Sequence, residues 1–195
     1  MTIFIIAISY LLGSIPFGLL LVRAAGLGDV RAIGSGNIGA TNVMRTGNKK
    51  LGIATLLLDA GKGFLAVWIA KQYGLEDVWL YAVALTAVLG HVFPIWLKFK
   101  GGKGVATAFG VIFAIDAGLG VTLCIFWLIE LLIARMVSVA SIGAFWSLLI
   151  APLIAGNAEM LVFILLLAIL ITWKHRANIQ RIRAGTEPKV GKKKP

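Results

Sequence analysis

"VATAFGVIFAIDAGLGVTLCIFWLIELLIA", residues 105–134, is an apolar run of about thirty residues, too long for one ordinary membrane crossing, which takes roughly 20. Its reading sets the count of every span around it. Asp116-Ala117-Gly118-Leu119-Gly120, inside the run, offers a turn that divides it into two short helices. Working outward, residues 2–22, 51–70, 79–97, 137–156 and 160–173 are further apolar candidates, which makes seven spans. Residues 2–22 carry no basic region before them and no A-x-A-like cleavage site followed by a polar mature domain, so they read as a retained span.

Composition agrees. Of 195 residues, 59% are hydrophobic and 14% charged, and the mean hydropathy is +0.95, too apolar for an ordinary soluble domain. The net charge of +11 raises the question of a nucleic-acid partner, which the placement of the charges answers. With the division at Asp116, all the Lys and Arg except Lys62 and Lys71 fall in residues 23–50, in 98–104, at Arg135 and in the tail from about 174 to 195. These segments share one side, and the positive-inside bias makes it the cytoplasm. The expectation is an all-α polytopic bundle of seven transmembrane helices, one integral-membrane domain over residues 1–195, with an external N-terminus and a cytoplasmic C-terminus. Membrane insertion explains the basic residues, and no nucleic acid is expected. The lone Cys124 builds no disulfide framework.

The long cytoplasmic segments hold the polar chemistry. "GSGNIGATNVMR", residues 34–45, spells the dinucleotide fingerprint G-x-G-x-x-G, with Asp59 at the ribose-binding distance. That motif works between a strand and a helix of a parallel sheet. Membrane helices flank it here, so no such unit forms and the match is coincidental. Glycine-rich backbone still suits an anion, and Ser35, Gly36, Asn37, Thr41, Asn42 and Arg45 supply donors and one planar cation.

A second segment, "GHVFPIWLKFKGGKGVAT", residues 90–107, places Lys100, Gly101, Gly102, Lys103 and Gly104 before a helix start that includes Thr107. Helix N-terminal amides with lysines favour a phosphate. It has no G-x-x-x-x-G-K-[ST] frame, so nucleotide hydrolysis is not expected. Asp59 and Lys62, three apart on one helix face, read as an intramembrane pair in which Asp59 is structural. His91 and His175 are candidate proton carriers or hydrogen-bonded structural residues. In "HRANIQRIRAGTEP", residues 175–188, His175, Asn178 and Arg181 share a face if helical, and the run also suits anionic lipid together with Lys192, Lys193 and Lys194. Ser138 and Ser141 stand at the start of a span as ligand or backbone donors. No metal-ligand set surrounds Asp116 or Glu130, and no metal is expected.

Together the three segments closely resemble the cytoplasmic motifs of the bacterial acyl-phosphate:glycerol-3-phosphate acyltransferase family, over most of the chain. The resemblance implies acyl transfer from acyl phosphate to the 1-hydroxyl of glycerol 3-phosphate, without a cofactor or an obligatory protein partner, at the cytoplasmic face of the bacterial inner membrane. It implies activity roles for Ser35 and Arg45, glycerol 3-phosphate binding by Gly101 to Gly104 with Lys103, and a structural Glu187. The third motif's His and Asn match His175 and Asn178, which are taken as catalytic candidates. The donors and cations of the three segments add Gly36, Asn37, Thr41, Asn42, Lys100, Thr107 and Arg181, together with Ser141, as expected substrate contacts. Two other readings compete: a transporter for a phosphorylated metabolite, which calls for inverted halves that the sequence does not show, and a noncatalytic lipid-binding scaffold, which leaves residues 35–45 without a purpose.

Overall fold

The computed structural model describes residues 1–191, so Lys192, Lys193 and Lys194 of the expected basic tail lie outside the described residues. All regular structure among the described residues is helical. The chain divides into two compact units, Met1–Ile115 and Asp116–Pro195.

In the first unit, residues 2–22 are not one helix. They form α1 (Thr2–Gly13) and α2 (Phe17–Ala24), because Pro16 has no N–H to donate and its ring crowds the preceding turn. The polar groups at the break find protein partners, as irregular backbone in a membrane must. The Ser14 hydroxyl donates to Leu11 O at 2.7 Å and accepts from Trp96 Nε1 at 2.8 Å, and Ile15 O accepts from Lys62 Nζ at 2.7 Å. Then come α3 (Ala40–Val43), α4 (Lys49–Gln72), α5 (Asp77–Val92) and α6 (Val105–Ile115). Asn48 caps α4 by accepting from Leu51 N.

Helix α4 is the centre of this unit and packs against each of the others. Lipid supplies no hydrophobic drive for helices to associate, so close backbone contact must hold them together. Two crossings achieve it with reciprocal glycines. Between α1 and α5, a β-carbon on Gly13 would strike the backbone of Ala87, and one on Gly90 would strike Tyr10 O. Between α4 and α6, a β-carbon on Gly63 would strike Thr107 O, and one on Gly110 would strike Ala60 O.

The second unit begins where the sequence placed the turn. Asp116 Oδ1 accepts from Leu119 N at 2.7 Å and caps α7 (Ala117–Ala134). It continues through α8 (Val137–Ser147), α9 (Ile150–Ala155), α10 (Ala158–Lys174) and α11 (Arg176–Arg183). Gly143 leaves room for the Glu130 carboxylate, which accepts from Ser147 Oγ, and so joins α7 to α8. Trp146 Nε1 donates to Thr172 Oγ1 and joins α8 to α10.

Among the described residues, five stretches are long and apolar enough to cross a membrane: Thr2–Ala24, Lys49–Gln72, Asp77–Leu97, Ala117–Ala134 and Val137–Ala155. The pair Ala158–Lys174 and Arg176–Arg183, bent by 61°, makes a sixth if taken as one span. Helix α6 has 11 residues, roughly 16 Å of rise against a hydrocarbon core of about 30 Å, which is why it stands apart from the count.

The glycine crossings separate substitutions that look alike in sequence. Gly110→Ala is expected to destabilise the protein by about 1–3 kcal/mol through overpacking. Gly61→Ala, whose β-carbon meets nothing, is expected to be neutral or to stabilise by up to about 1 kcal/mol. Unfolding in detergent micelles measures both, and equal effects would refute the packing account.

Candidate functional site

The first loop is organised by one buried side chain. Asn42 Nδ2 donates to Val30 O, Ile33 O and Asn37 O, while its Oδ1 accepts from Ser35 N at 3.0 Å and from Arg45 Nη1 at 3.3 Å. Its hydrogen-bonding capacity is thus used within the loop. Asn37 likewise turns inward, its Oδ1 accepting from Gly39 N. Gly34 and Gly36 have φ of +57° and +69°, a region that L side chains rarely adopt, and they bend the chain around this hub. Ser35, Gly36, Thr41 and Arg45 remain exposed. At the loop entrance Asp29 accepts from Arg31 Nε, Nη2 and N and from Arg23 Nη2. The Arg31 guanidinium, with its own amide and then Arg23, holds the Asp29 carboxyl well below the usual carboxylate range.

The second loop folds back onto the end of α5. Gly101 N donates to Val92 O at 3.2 Å and Gly102 N to His91 O at 3.1 Å, so these two amides cap a helix. Both glycines are required by packing as well. A β-carbon on Gly101 would strike His91 O and the Pro94 ring, and one on Gly102 would strike the His91 imidazole. Lys98 and Phe99, with φ of +51° and +62°, make the turn that brings this about, and strain of that kind gathers at functional sites. Thr107, on the first turn of α6, is fully buried, and its hydroxyl has no hydrogen-bond partner among the described residues.

The two loops share a cleft of about 470 Å³ lined by Arg31, Gly36, Trp96, Leu97, Lys98 and Lys100. Of these, Gly36 and Lys100 are expected substrate contacts from sequence, whereas no local signal distinguishes Arg31 or Lys98 from the other loop cations. Within the same unit, Lys62 Nζ donates to Asp59 Oδ1 at 2.6 Å and to His91 Nδ1 at 3.0 Å, all three side chains being buried. The expected Asp59–Lys62 pair is present, and His91 joins it.

The second unit has its own polar hub. Glu187, with its side chain 6% exposed, accepts from Ser138 Oγ at 2.7 Å, Asn178 Nδ2 at 2.6 Å and Arg181 Nε at 2.7 Å. Burial pushes its carboxyl up, but the bonds from Ser138, Asn178 and Arg181 outweigh this and hold it below its ordinary value. His175 is buried, and its Nδ1 lies 2.8 Å from Ile171 O. A carbonyl only accepts, so Nδ1 carries the proton in this contact. Ser141 is buried and accepts from Trp127 Nε1 at 3.3 Å.

A family model described as glycerol-3-phosphate acyltransferase matches residues 3–185. A protein of that name from Erythrobacter litoralis is 54% identical over 187 residues, 95% of this chain and 93% of that one. Another from Cereibacter sphaeroides is 50% identical over 186 residues, 95% of this chain and 88% of that one. The fold matches crystal structures of PlsY (YgiH), an integral membrane glycerol 3-phosphate acyltransferase. Its glycerol 3-phosphate form has a TM-score of 0.92 at 41% identity and covers 97% of this chain and 96% of that chain. Its lysophosphatidic acid form has a TM-score of 0.88 at 40% identity, covering 97% and 95%.

The Glu187 hub has a pH signature. A carboxyl with a depressed folded-state pKa stabilises fully above its unfolded value of about 4.3, and that stability is lost as pH falls toward the folded value. The melting temperature is therefore expected to drop more steeply between about pH 5 and pH 3 in the parent than in Glu187→Gln. Parallel slopes would show that the hub contributes no charge-dependent stability.

Proposed function

The chain belongs to the glycerol-3-phosphate acyltransferase family and is an integral-membrane acyltransferase, and on that premise we propose that it transfers a fatty acyl group from acyl phosphate to the 1-hydroxyl of sn-glycerol 3-phosphate. The products are 1-acylglycerol 3-phosphate and inorganic phosphate, the first step of phospholipid synthesis. The observation that carries this reading is the cleft where Arg31, Lys98 and Lys100 meet Gly36 of the Ser35–Arg45 loop. Both substrates are phosphate esters or anhydrides, one with an acyl chain that belongs in lipid. A cationic cleft in an apolar bundle suits that pair.

Phosphate is a good leaving group, so the demand falls on positioning, oxyanion stabilisation and removal of the hydroxyl proton. Arg45, Lys100 and Lys103 hold phosphate oxygens, supported by Gly36, Thr41, Gly104 and the first turn of α6 with Thr107. Ser35 or Asn178 donates to the developing oxyanion, and direct attack by the bound hydroxyl is favoured over a covalent acyl-Ser35 intermediate, whose trapping during turnover would reverse that preference. Asn37, Asn42, Gly101 and Gly102 support substrate through the loops they shape. His175 and Asn178 serve the chemical step, as the motif resemblance implies, with Ser141, Arg181 and Glu187 maintaining their surroundings. The proton goes to His175 Nε2 or to an oxygen of a bound phosphate.

The Lys and Arg distribution supports seven crossings with an external N-terminus and a cytoplasmic C-terminus. The proposal is one multi-pass domain over residues 1–195 in the bacterial inner membrane, its site facing the cytoplasm, surrounded by membrane lipid. It needs no cofactor, metal, nucleic acid or obligatory protein partner.

Purified protein given labelled glycerol 3-phosphate with acyl phosphate, acyl-CoA or acyl carrier protein is expected to form product from acyl phosphate alone. No product from any donor would overturn the reading. Lys103→Ala is expected to raise KM for glycerol 3-phosphate more than KM for the donor. His175→Ala decides the base: a loss of about 10²- to 10⁴-fold in kcat assigns the proton to the histidine, and near-normal turnover assigns it to phosphate.

A further inference from the structure

Lys62 lies in the middle of α4 with its side chain 1% exposed. A buried intramembrane lysine is expensive and calls for a reason beyond its counterion. Its ammonium donates to three acceptors on three parts of the unit: Asp59 Oδ1 on α4, Ile15 O at the α1–α2 break, and His91 Nδ1 on α5. Asp59 Oδ1 is itself 3.5 Å from His91 Nδ1, so both face the same ammonium. An ammonium has no lone pair, and so the 3.0 Å contact makes His91 Nδ1 the acceptor. The imidazole is then the Nε2–H tautomer, with its orientation set from below.

The other edge of that ring is where the second loop sits. Gly102 approaches so closely that a β-carbon there would overlap His91 Nε2, and its amide caps His91 O. Gly101 is seated by the same residue, through His91 O and Pro94. The lysines that flank these glycines, Lys100 and Lys103, take their places from that seating.

We infer that His91, oriented by Lys62, is a positioning residue for glycerol 3-phosphate: the imidazole seats the Gly101–Gly102 segment and thereby aims Lys100 and Lys103 at the substrate phosphate. The inference rests on the reading of those two lysines given above. A buried ion pair replaced at both ends by apolar residues of similar volume generally leaves a protein as stable as before. What this pair supplies that an apolar pair cannot is the hydrogen bond to His91 and the one to Ile15.

The double variant Asp59→Leu, Lys62→Met tests this, because it removes both charges and both hydrogen bonds together. The expected result is a cooperative melt, at a temperature lowered by the two acceptors left unpaired at Ile15 and His91, with KM for glycerol 3-phosphate raised about ten-fold or more and donor KM within about two-fold. A folded double variant with unchanged KM for glycerol 3-phosphate would overturn the inference. Nitrogen NMR of ¹⁵N-histidine protein, with His91 assigned by His91→Gln, gives a readout on the unaltered chain. A bare Nδ1, a protonated Nε2 and a shift at His91 on saturation with glycerol 3-phosphate are expected. A protonated Nδ1, or no response to saturating substrate, would refute it even if the double variant fails to fold. Absence of acylation by the parent would instead remove the functional reading, leaving the tautomer result to stand on its own.

Discussion

A charge that cannot reach water must be satisfied by protein, and Lys62 is where this chain meets that constraint. Its ammonium draws together the α1–α2 break, the centre of α4 and the end of α5. Each partner solves a problem of its own. Ile15 O sits at a break caused by Pro16, Asp59 supplies the opposite charge, and His91 gains a defined tautomer. One unmet hydrogen bond in an apolar bundle costs several kcal/mol, so the three requirements lock the register of these helices. The second loop inherits that register, because Gly101 and Gly102 are built on His91.

Glycine acts in two ways in this molecule, and the distinction reshapes the site. At helix crossings it permits backbones to touch, as at Gly13 with Ala87 and Gly110 with Ala60. In the first loop it permits the left-handed turns at Gly34 and Gly36. Gly101 and Gly102, which in sequence read as a phosphate cradle, belong with the first kind, since their amides cap α5.

Two polar hubs of similar logic sit in the two units. Asn42 collects the carbonyls and amides of the first loop, and Glu187 collects Ser138, Asn178 and Arg181. Asn42 is buried and the Glu187 side chain is 6% exposed, while Ser35 and Arg45 beside Asn42 are exposed. The motif resemblance implies a structural Glu187, and the bonds from Ser138, Asn178 and Arg181 are the contacts through which such a role would act.

The apolar stretches and the turn at Asp116 were legible in the sequence, because apolar length and a turn sequence are local properties. Residues 34–45 and 90–107 were legible as polar, glycine-rich segments for the same reason. Lys62 was visible as a partner for Asp59, three residues away, yet its bond to His91 was not, since 29 positions separate them. Nor did anything mark Arg31 and Lys98 apart from other loop cations, or show that residues 2–22 break where a lysine waits. Those facts depend on how closely backbones approach at glycine crossings and on which buried donor lies nearest a freed acceptor. Local sequence determined the pieces and their chemistry; only tertiary packing decided which distant polar groups satisfy one another, because a group out of reach of water bonds to whatever the fold brings beside it.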